Sequence, residues 1–245
     1  METQIDVRVI ARGGKYLGDD IGGALVTIRD VHTGELLGSG NTTGGSGPSN
    51  LMEICVTQSE VLPVDQASVF SASLNLAEPR LIRVTAYGPL GAQQSANTAT
   101  VTQWIYPGRN IAGGSAGLLL EIPGLVVQVL NPPTHFLPRT HPGEIDVRAN
   151  VTMMCGCPIG VAPWNPNEFA VTARISGPDY SLEAPMVFDT RAPCDAPSQF
   201  TYSWWVPPNE THQPRIYEIV IAAFQPATGN TGVDRATAII PAAGG

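Results

Sequence analysis

The residues with the clearest chemical potential are the sulfur-bearing side chains at 153–157, which read Met-Met-Cys-Gly-Cys. Thiolate and thioether sulfur are ligands that Cu(I) and Zn(II) accept readily in proteins. A Cys-x-Cys pair could supply two such ligands, and further donors lie elsewhere in the chain at His135, His141, Met186 and Cys194. The spacing therefore indicates a candidate copper or zinc site formed by Met153, Cys155, Cys157 and Cys194.

The same cysteines also suit a structural role. Cys155 and Cys157 continue an alternating apolar face, so a strand would bury both of them and leave Met154 exposed. A disulfide from either cysteine to Cys194 would fasten the end of that strand to the loop before the next one. We expect this disulfide, with buried free thiols and the metal site as the alternatives, and we expect Cys55 to be a buried free thiol.

Two glycine-rich stretches match catalytic or phosphate-binding motifs in outline only. Ser115 lies in a G-x-S-x-G motif, and Asp189 and His212 follow in the order that a hydrolase triad needs. That motif requires a strand before the serine and a helix after it, and Pro123 leaves room for little more than one helical turn. The glycines at 38–45 lack the G-x-G-x-x-G spacing, and no Lys-Ser or Lys-Thr follows them. We therefore expect no catalytic residue and no cofactor.

Three tryptophans are candidates for an interaction surface. Trp204 and Trp205 are neighbours in a strand-like segment, so their side chains should point to opposite faces, one into the core and one into solvent. An exposed indole could contact a protein or stack on a sugar ring. Trp164 is the third interaction candidate.

Glycine and proline punctuate the whole chain, with 26 and 22 residues among 245, so its elements must be short. Between these breaks, apolar and polar residues alternate with a period of two. The alternation is clearest at 145–157 and recurs at 5–11, and the tetrapeptide Ile-Asp-Val-Arg occurs in both stretches. This period indicates strands with one buried face.

The repetition continues in the same order along the chain. The matching segments are 24–29 with 170–175, 68–76 with 198–206, 81–89 with 216–226, and 98–102 with 235–240. A collinear series of this kind predicts two homologous domains. It also predicts that Ile5 and Ile145, and likewise Phe70 and Phe200, occupy equivalent core positions.

Each copy contains about seven short segments of this type, a number typical of an all-β sandwich. The chain resembles the immunoglobulin-like family in its broad sense. The first copy is similar to transthyretin-like or carboxypeptidase-regulatory-like domains through GALVTIRDVHTGELLGSGNTTGGSG at 23–47. The second is similar to bacterial immunoglobulin-like modules through IYEIVIAAFQPATGNTG at 216–232, where Tyr217 has a place like that of a tyrosine corner. The resemblance implies two tandem sandwiches and an extracytoplasmic binding or scaffolding role.

The repeat and the resemblance together suggest three parts. Residues 1–105 form the first immunoglobulin-like or transthyretin-like sandwich, and residues 124–245 form the second sandwich. Between them, residues 106–123 are rich in glycine and proline but also carry apolar residues, which predicts a linker that packs against protein.

Charge and hydropathy exclude several classes of partner. The net charge is −8, and the 13 basic residues include a single lysine, Lys15, with no cluster of arginines. Nucleic acid and anionic membranes need a concentrated basic surface, so both are disfavoured. The most apolar stretch, at 117–130, is interrupted by Glu121 and Pro123 and is too short to span a bilayer as a helix.

These observations favour a non-enzymatic binding or structural protein that acts through protein–protein contacts or self-assembly. We expect an extracytoplasmic location, periplasmic, cell-surface or secreted, with the signal sequence absent from this chain. The alternative is a protein that handles copper or zinc through the Cys-x-Cys cluster of the second domain.

Overall fold

The computed structural model describes residues 1–48, 51, 64, 66–112, 117–138, 143–192 and 198–242. The chain is 58% strand and 6% helix, so the prediction of an all-β protein is confirmed. The helical residues of the described part include short 3₁₀ turns at Asp19–Ile21, Leu90–Ser95 and Pro166–Glu168. None of the described helices has the length and apolar character needed to cross a membrane.

The first compact unit consists of Met1–Gly124 together with Met153–Cys157. Its strands form two four-stranded sheets, with the hydrogen-bonded orders β4-β5-β1-β8 and β3-β2-β6-β7. The strands are β1 (Glu2–Ala11), β2 (Leu25–Asp30), β3 (Leu36–Asn41), β4 (Thr43–Ser46), β5 (Ala67–Asn75), β6 (Arg80–Gly88), β7 (Asn97–Ile105) and β8 (Leu118–Ile122).

The second compact unit consists of Leu125–Thr152 and Pro158–Gly245. It also has two four-stranded sheets, with the orders β13-β14-β10-β9 and β12-β11-β15-β16. Its strands are β9 (Leu125–Asn131), β10 (Glu144–Met153), β11 (Ala170–Gly177), β12 (Tyr180–Pro185), β13 (Val187–Phe188), β14 (Gln199–Trp205), β15 (Arg215–Gln225) and β16 (Asn230–Ile240).

Alternating burial along the central strands makes both units sandwich-like. In β6 every second side chain from Ile82 to Ala86 is fully buried, while Arg83 between them is exposed. The same alternation runs along β15 from Tyr217 to Ala223. Each buried aliphatic side chain contributes about 1.5–3 kcal/mol relative to an exposed one. The period of two therefore gives each sheet an inner face that stabilises the unit.

The strand order of one unit repeats that of the other, as the collinear segments predict. Strands β1 to β7 occupy the positions that β10 to β16 occupy in the second unit. The remaining strand differs in origin. In the first unit, β8 follows β7 in the chain and pairs in parallel with β1, whereas β9 precedes β10 and lies beside it.

The register of the repeat differs from the sequence prediction by two residues. Phe70 pairs with Val7 and Phe200 pairs with Ala149. When the two phenylalanines are matched, Ile5 therefore corresponds to Val147, and not to Ile145 as the shared tetrapeptide suggested. A shift of two keeps each side chain on the same face of its strand. Ile5 and Ile145 are accordingly both buried, although their cross-strand partners are not equivalent.

The segment predicted as a linker contributes to the first unit's sheet. Its strand β8 pairs with β1 from Val7 to Ala11, and Ile111 forms a parallel bridge with Ile5. The apolar side chains of β8 alternate between buried and exposed, as in any strand with one inner face. Ser115 and the rest of 113–116 lie outside the described residues.

A cluster of three aromatic rings lies in the core of the second unit. Trp204 packs at 5.3 Å from Tyr217 and 6.3 Å from Tyr180, measured between ring centroids. The Trp204 indole N–H donates to the Tyr180 hydroxyl at 3.0 Å. The buried Tyr217 hydroxyl has no hydrogen-bond partner among the described residues. The hydrogen bond of a tyrosine corner is therefore not made, and the comparison of Tyr217 with that motif was wrong in this respect.

The two tyrosines give opposite predictions for loss of the hydroxyl. Tyr217→Phe removes a buried, unpartnered oxygen, so we expect the free energy of unfolding to stay unchanged or rise by about 1 kcal/mol. Tyr180→Phe removes the acceptor of the buried Trp204 N–H, so we expect a loss of about 1–3 kcal/mol. Urea denaturation followed by tryptophan fluorescence measures both changes. A loss for Tyr217→Phe equal to that for Tyr180→Phe would contradict this account of the cluster.

Candidate functional site

A tight turn after β10 places Cys155 and Cys157 side by side. The Gly156 N–H donates to the Met153 carbonyl at 2.8 Å, and the Met153 N–H donates to the Cys157 carbonyl at 3.0 Å. Gly156 has a φ of 77°, in the left-handed region that favours glycine. A β-turn followed by a left-handed glycine reverses the chain in hairpins. The segment therefore turns back where the alternation predicted a continuing strand.

The turn changes which side chains are buried. Met154 and Cys155 are both fully buried, while Cys157 is partly exposed. The prediction that Met154 is exposed was wrong, because strand parity ends at Met153. Cys155 is buried as predicted, whereas Cys157 is more exposed than predicted.

The Cys155 sulfur lies against the first unit's own backbone. A Cβ atom at Gly14 would come within 3.2 Å of Cys155 Sγ, so the thiol occupies space that only a glycine leaves open. The backbone N–H groups of Lys15 and Cys157 donate hydrogen bonds to this sulfur. Donors of this kind favour the charged form of a buried thiol.

The two cysteines have opposite pKa shifts. The Cys157 thiol donates to the Cys155 sulfur, and this bond, helped by the backbone donors, lowers the pKa of Cys155 despite its burial. The pKa of Cys157 is raised, first because its proton is held in that bond and then because burial and the neighbouring Cys155 charge oppose a second thiolate. The ionisation of the two thiols is therefore coupled, and when Cys155 loses its proton the proton of Cys157 is held between the two sulfur atoms.

Such a pair can do two kinds of chemistry. Oxidation converts it to a disulfide, and a soft metal ion can replace its proton. Both cysteines are free thiols in the structure. Cys194, the predicted disulfide partner, lies outside the described residues, as do Cys55 and His141. The disulfide to Cys194 therefore stays a prediction.

The other proposed metal donors are placed differently. Met153 is buried at the start of the turn. The His135 ring lies 3.0 Å from the Thr237 hydroxyl in the second unit, and Met186 is buried between β12 and β13. In the part of the chain that the structure describes, no group of three or more His, Cys, Asp or Glu side chains is arranged to hold a metal ion.

The tryptophan pair follows strand parity. Trp204 is fully buried in the aromatic cluster, and Trp205 is 64% exposed at the end of β14, opposite Glu144 of β10. Trp164 is 7% exposed and therefore offers little of its ring to a partner. Among the three interaction candidates, Trp205 is the one that presents a large surface to solvent.

Sequence reasoning missed a second apolar surface on the second unit. Ile216, Phe224 and Val233 are each more than 40% exposed on the solvent side of β15 and β16. Beside Phe224, a shallow groove of about 300 Å³ is lined by Ala170 of the neighbouring strand and by Phe169, Pro226, Ala227, Asn167 and Glu168. We call these three side chains and the groove the β15–β16 face. The signal was present at 216–226, where apolar residues occupy both alternating sets of positions.

Of the remaining catalytic candidates, Ser115 lies outside the described residues and His212 is exposed in the loop between β14 and β15. The Asp189 carboxylate accepts a hydrogen bond from the Arg191 N–H at 2.9 Å, which shapes a turn after β13.

Comparison with known proteins does not indicate a function for this chain. No protein-family model matches the chain, and no curated protein matches it.

The thiol pair gives a prediction about ionisation. In the native protein we expect Cys155 to form a thiolate at a lower pH than the ordinary thiol value of about 8.5, while Cys157 remains protonated. Cys157→Ala removes the main hydrogen-bond donor and should move the pKa of Cys155 upwards, whereas Cys157→Ser keeps a donor and should move it less. The difference in ultraviolet thiolate absorbance between each protein and its Cys155→Ala counterpart isolates this titration. An unchanged Cys155 titration in Cys157→Ala would show that the two sulfurs are not coupled.

Proposed function

We propose that this chain is a non-enzymatic binding or structural protein that acts outside the cytoplasm through protein–protein contacts, including contacts with its own copies. The observation that carries the proposal is the β15–β16 face, where Phe224 and Val233 stand in solvent near a groove and Ile216 is exposed at the other end of β15. Exposed apolar surface of this kind is typical of an interaction site. Trp205, on the other sheet of the same unit, offers a further contact.

The order of the strands supports an immunoglobulin-like relationship. In such domains strands A, B, E and D form one sheet, and C, F and G form the other, with an added C′ in some members. When β9 to β16 are labelled A, B, C, C′, D, E, F and G, the second unit has the orders D-E-B-A and C′-C-F-G. The similarity of these orders supports the proposed immunoglobulin-like relationship, and such modules commonly serve as binding or scaffolding units.

The first unit supports the same proposal with one variation. Its strands β1 to β7 have the order of B to G, and β8 takes the place of strand A from the opposite end of the unit. The pairing of β8 with β1 is parallel. We propose that this unit is the transthyretin-like or carboxypeptidase-regulatory-like sandwich, and that both units act as one tandem binding protein.

The test is self-association of the purified chain. We expect the wild-type protein to associate as its concentration rises in sedimentation velocity or native mass spectrometry. Phe224→Ser combined with Trp205→Ser should weaken this association about tenfold, equivalent to about 1.4 kcal/mol, because two exposed apolar anchors are lost.

The matched control is Leu36→Ser, which removes a side chain that is 51% exposed on β3 of the first unit. It should leave association unchanged. A wild-type chain that stays monomeric at all concentrations would overturn the assembly proposal. If Leu36→Ser weakens association as much as the double substitution does, Phe224 and Trp205 have no specific role in it.

A second candidate function, handling of Cu(I) or Zn(II), is favoured by the pair of thiols at Cys155 and Cys157. Two sulfurs held together, one with a lowered pKa, form part of a soft-metal site to which Met153 would add a thioether. If so, stoichiometric Cu(I) should protect Cys155 and Cys157 from a thiol reagent, and the Cys155→Ala/Cys157→Ala protein should bind the ion more weakly by at least about tenfold. Copper binding that is equal in the two proteins rules this function out.

A further inference from the structure

Strand β7 is an edge strand of the first unit with an open side. It pairs with β6 along its whole length, from Asn97 opposite Gly88 to Ile105 opposite Arg80. Apart from that pairing, its main chain makes one hydrogen bond among the described residues, from the Thr98 N–H to the Asn97 side chain at 2.8 Å. The Asn97 amide also donates to the Pro123 carbonyl at 3.3 Å. From Ala99 onwards the second edge of the strand has no partner within the described ranges.

The equivalent strand of the second unit is covered. The Phe136 N–H donates to the Thr237 carbonyl of β16 at 2.9 Å, and the Ile239 N–H donates to the Phe136 carbonyl at 2.7 Å. Nearby, the Val129 N–H donates to the Asp234 carboxylate at 2.8 Å. The segment that contains β9 therefore occupies the edge of β16. In the described part of the first unit β8 lies close to β7, but no further segment hydrogen-bonds to the main chain of β7.

The sequence of β7 lacks the features that usually protect an open edge. Natural edge strands are kept from pairing by lysine, proline, bulges or short length. Strand β7 has nine residues, Asn-Thr-Ala-Thr-Val-Thr-Gln-Trp-Ile, without a charge or a proline. Its register with β6 is continuous, with no bulge. None of its first eight residues is fully buried. Such a strand is a template for pairing with another strand.

The order of residue types in β7 is symmetric about Thr100. Reading outwards on both sides, Ala99 matches Val101, Thr98 matches Thr102, and Asn97 matches Gln103. Two copies of this strand aligned antiparallel on Thr100 would therefore place like residue types opposite each other. Threonine pairs across antiparallel strands are favourable, and the Thr85 and Thr100 hydroxyls already lie 3.2 Å apart within the unit.

Charge is compatible with the same alignment. Arg29 and Arg83 face each other across β2 and β6, in the row of the sheet that ends at Thr102. In the antiparallel pair this row continues into Thr98 and Tyr87 of the second copy, neither of which is charged. The arginines of the two copies therefore do not meet in one row of the joined sheet.

We propose that β7 pairs antiparallel with β7 of a second copy of this chain, centred on Thr100, so that two four-stranded sheets become one of eight strands. The pairing is a two-fold contact in which each copy uses the same residues, so it closes at a dimer and does not extend into a fibre. This inference rests on the proposed function and adds a second self-contact to the one proposed at the β15–β16 face and Trp205.

The test uses opposite charges at the two-fold position of the full-length chain. Thr100→Lys and Thr100→Glu each place like charges face to face in the dimer, so each variant alone should raise the dimer dissociation constant by about tenfold or more. Mixing the two variants places lysine opposite glutamate and should restore a heterodimer, which native mass spectrometry identifies by its mass. The matched control is Thr43→Lys, at an exposed position of β4, which should dimerise like the wild type.

Each outcome decides the inference. Loss of the dimer in both single variants with recovery in the mixture supports the pairing and its register. A dimer that persists in Thr100→Lys, or a mixture that does not recover, overturns it. Association that persists in Thr100→Lys but is lost in the Phe224→Ser and Trp205→Ser protein overturns the β7 pairing alone and leaves the proposed function standing. Thermal unfolding verifies that each variant folds. If a Thr100 variant does not fold, a mixture of Thr98→Glu with Thr102→Lys tests the same register.

Discussion

Both units depend on the burial of one face of their central strands. Strands β1 and β6 in the first unit, and β10 and β15 in the second, are hydrogen-bonded on both sides and bury alternate side chains. A face that is apolar along its whole length must be covered by a second sheet, so each unit has two. Four-stranded open sheets also end in edge strands, and each edge must be covered or left available. The edges of these sheets are therefore the surfaces that a partner chain can contact.

The two units differ in which segments lie beside their edge strands, and this difference affects where a second chain could pair. Residues before β10 run beside β16 and hydrogen-bond to it through Phe136. In the first unit, the strand beside β1 is β8, which comes from the end of the unit, and among the described residues only β6 pairs with β7. A repeat that is the same in its core therefore differs in what it offers to another chain. The thiol pair at Cys155 and Cys157 is a separate feature, set by a turn and not by the repeat.

Much of the fold could be predicted from the sequence, because alternation and collinear repetition are visible in single residues. Ile82, Val84 and Ala86 alternate with polar neighbours, and the shared strand order of the two units follows from the matching segments. The register could not be predicted, since a two-residue shift leaves every side chain on the same face. Strand β8 was also missed, because a parallel pairing with β1 leaves no local signal in a glycine-rich segment. At the candidate site, Gly156 was the sequence signal for the turn that buries Met154, because a glycine with a left-handed backbone conformation ends the alternation there.

The central proposal is that copies of this chain meet at the second edge of β7, which is unpaired among the described residues. Amide hydrogen exchange of the residues at 97–105, measured by mass spectrometry on dilute and concentrated protein, tests this most directly because exchange reports whether backbone N–H groups are hydrogen-bonded. The account predicts that exchange in β7 slows as concentration rises, while exchange in the covered strand β16 stays the same. Equal exchange rates for β7 at both concentrations, with association present, would contradict it.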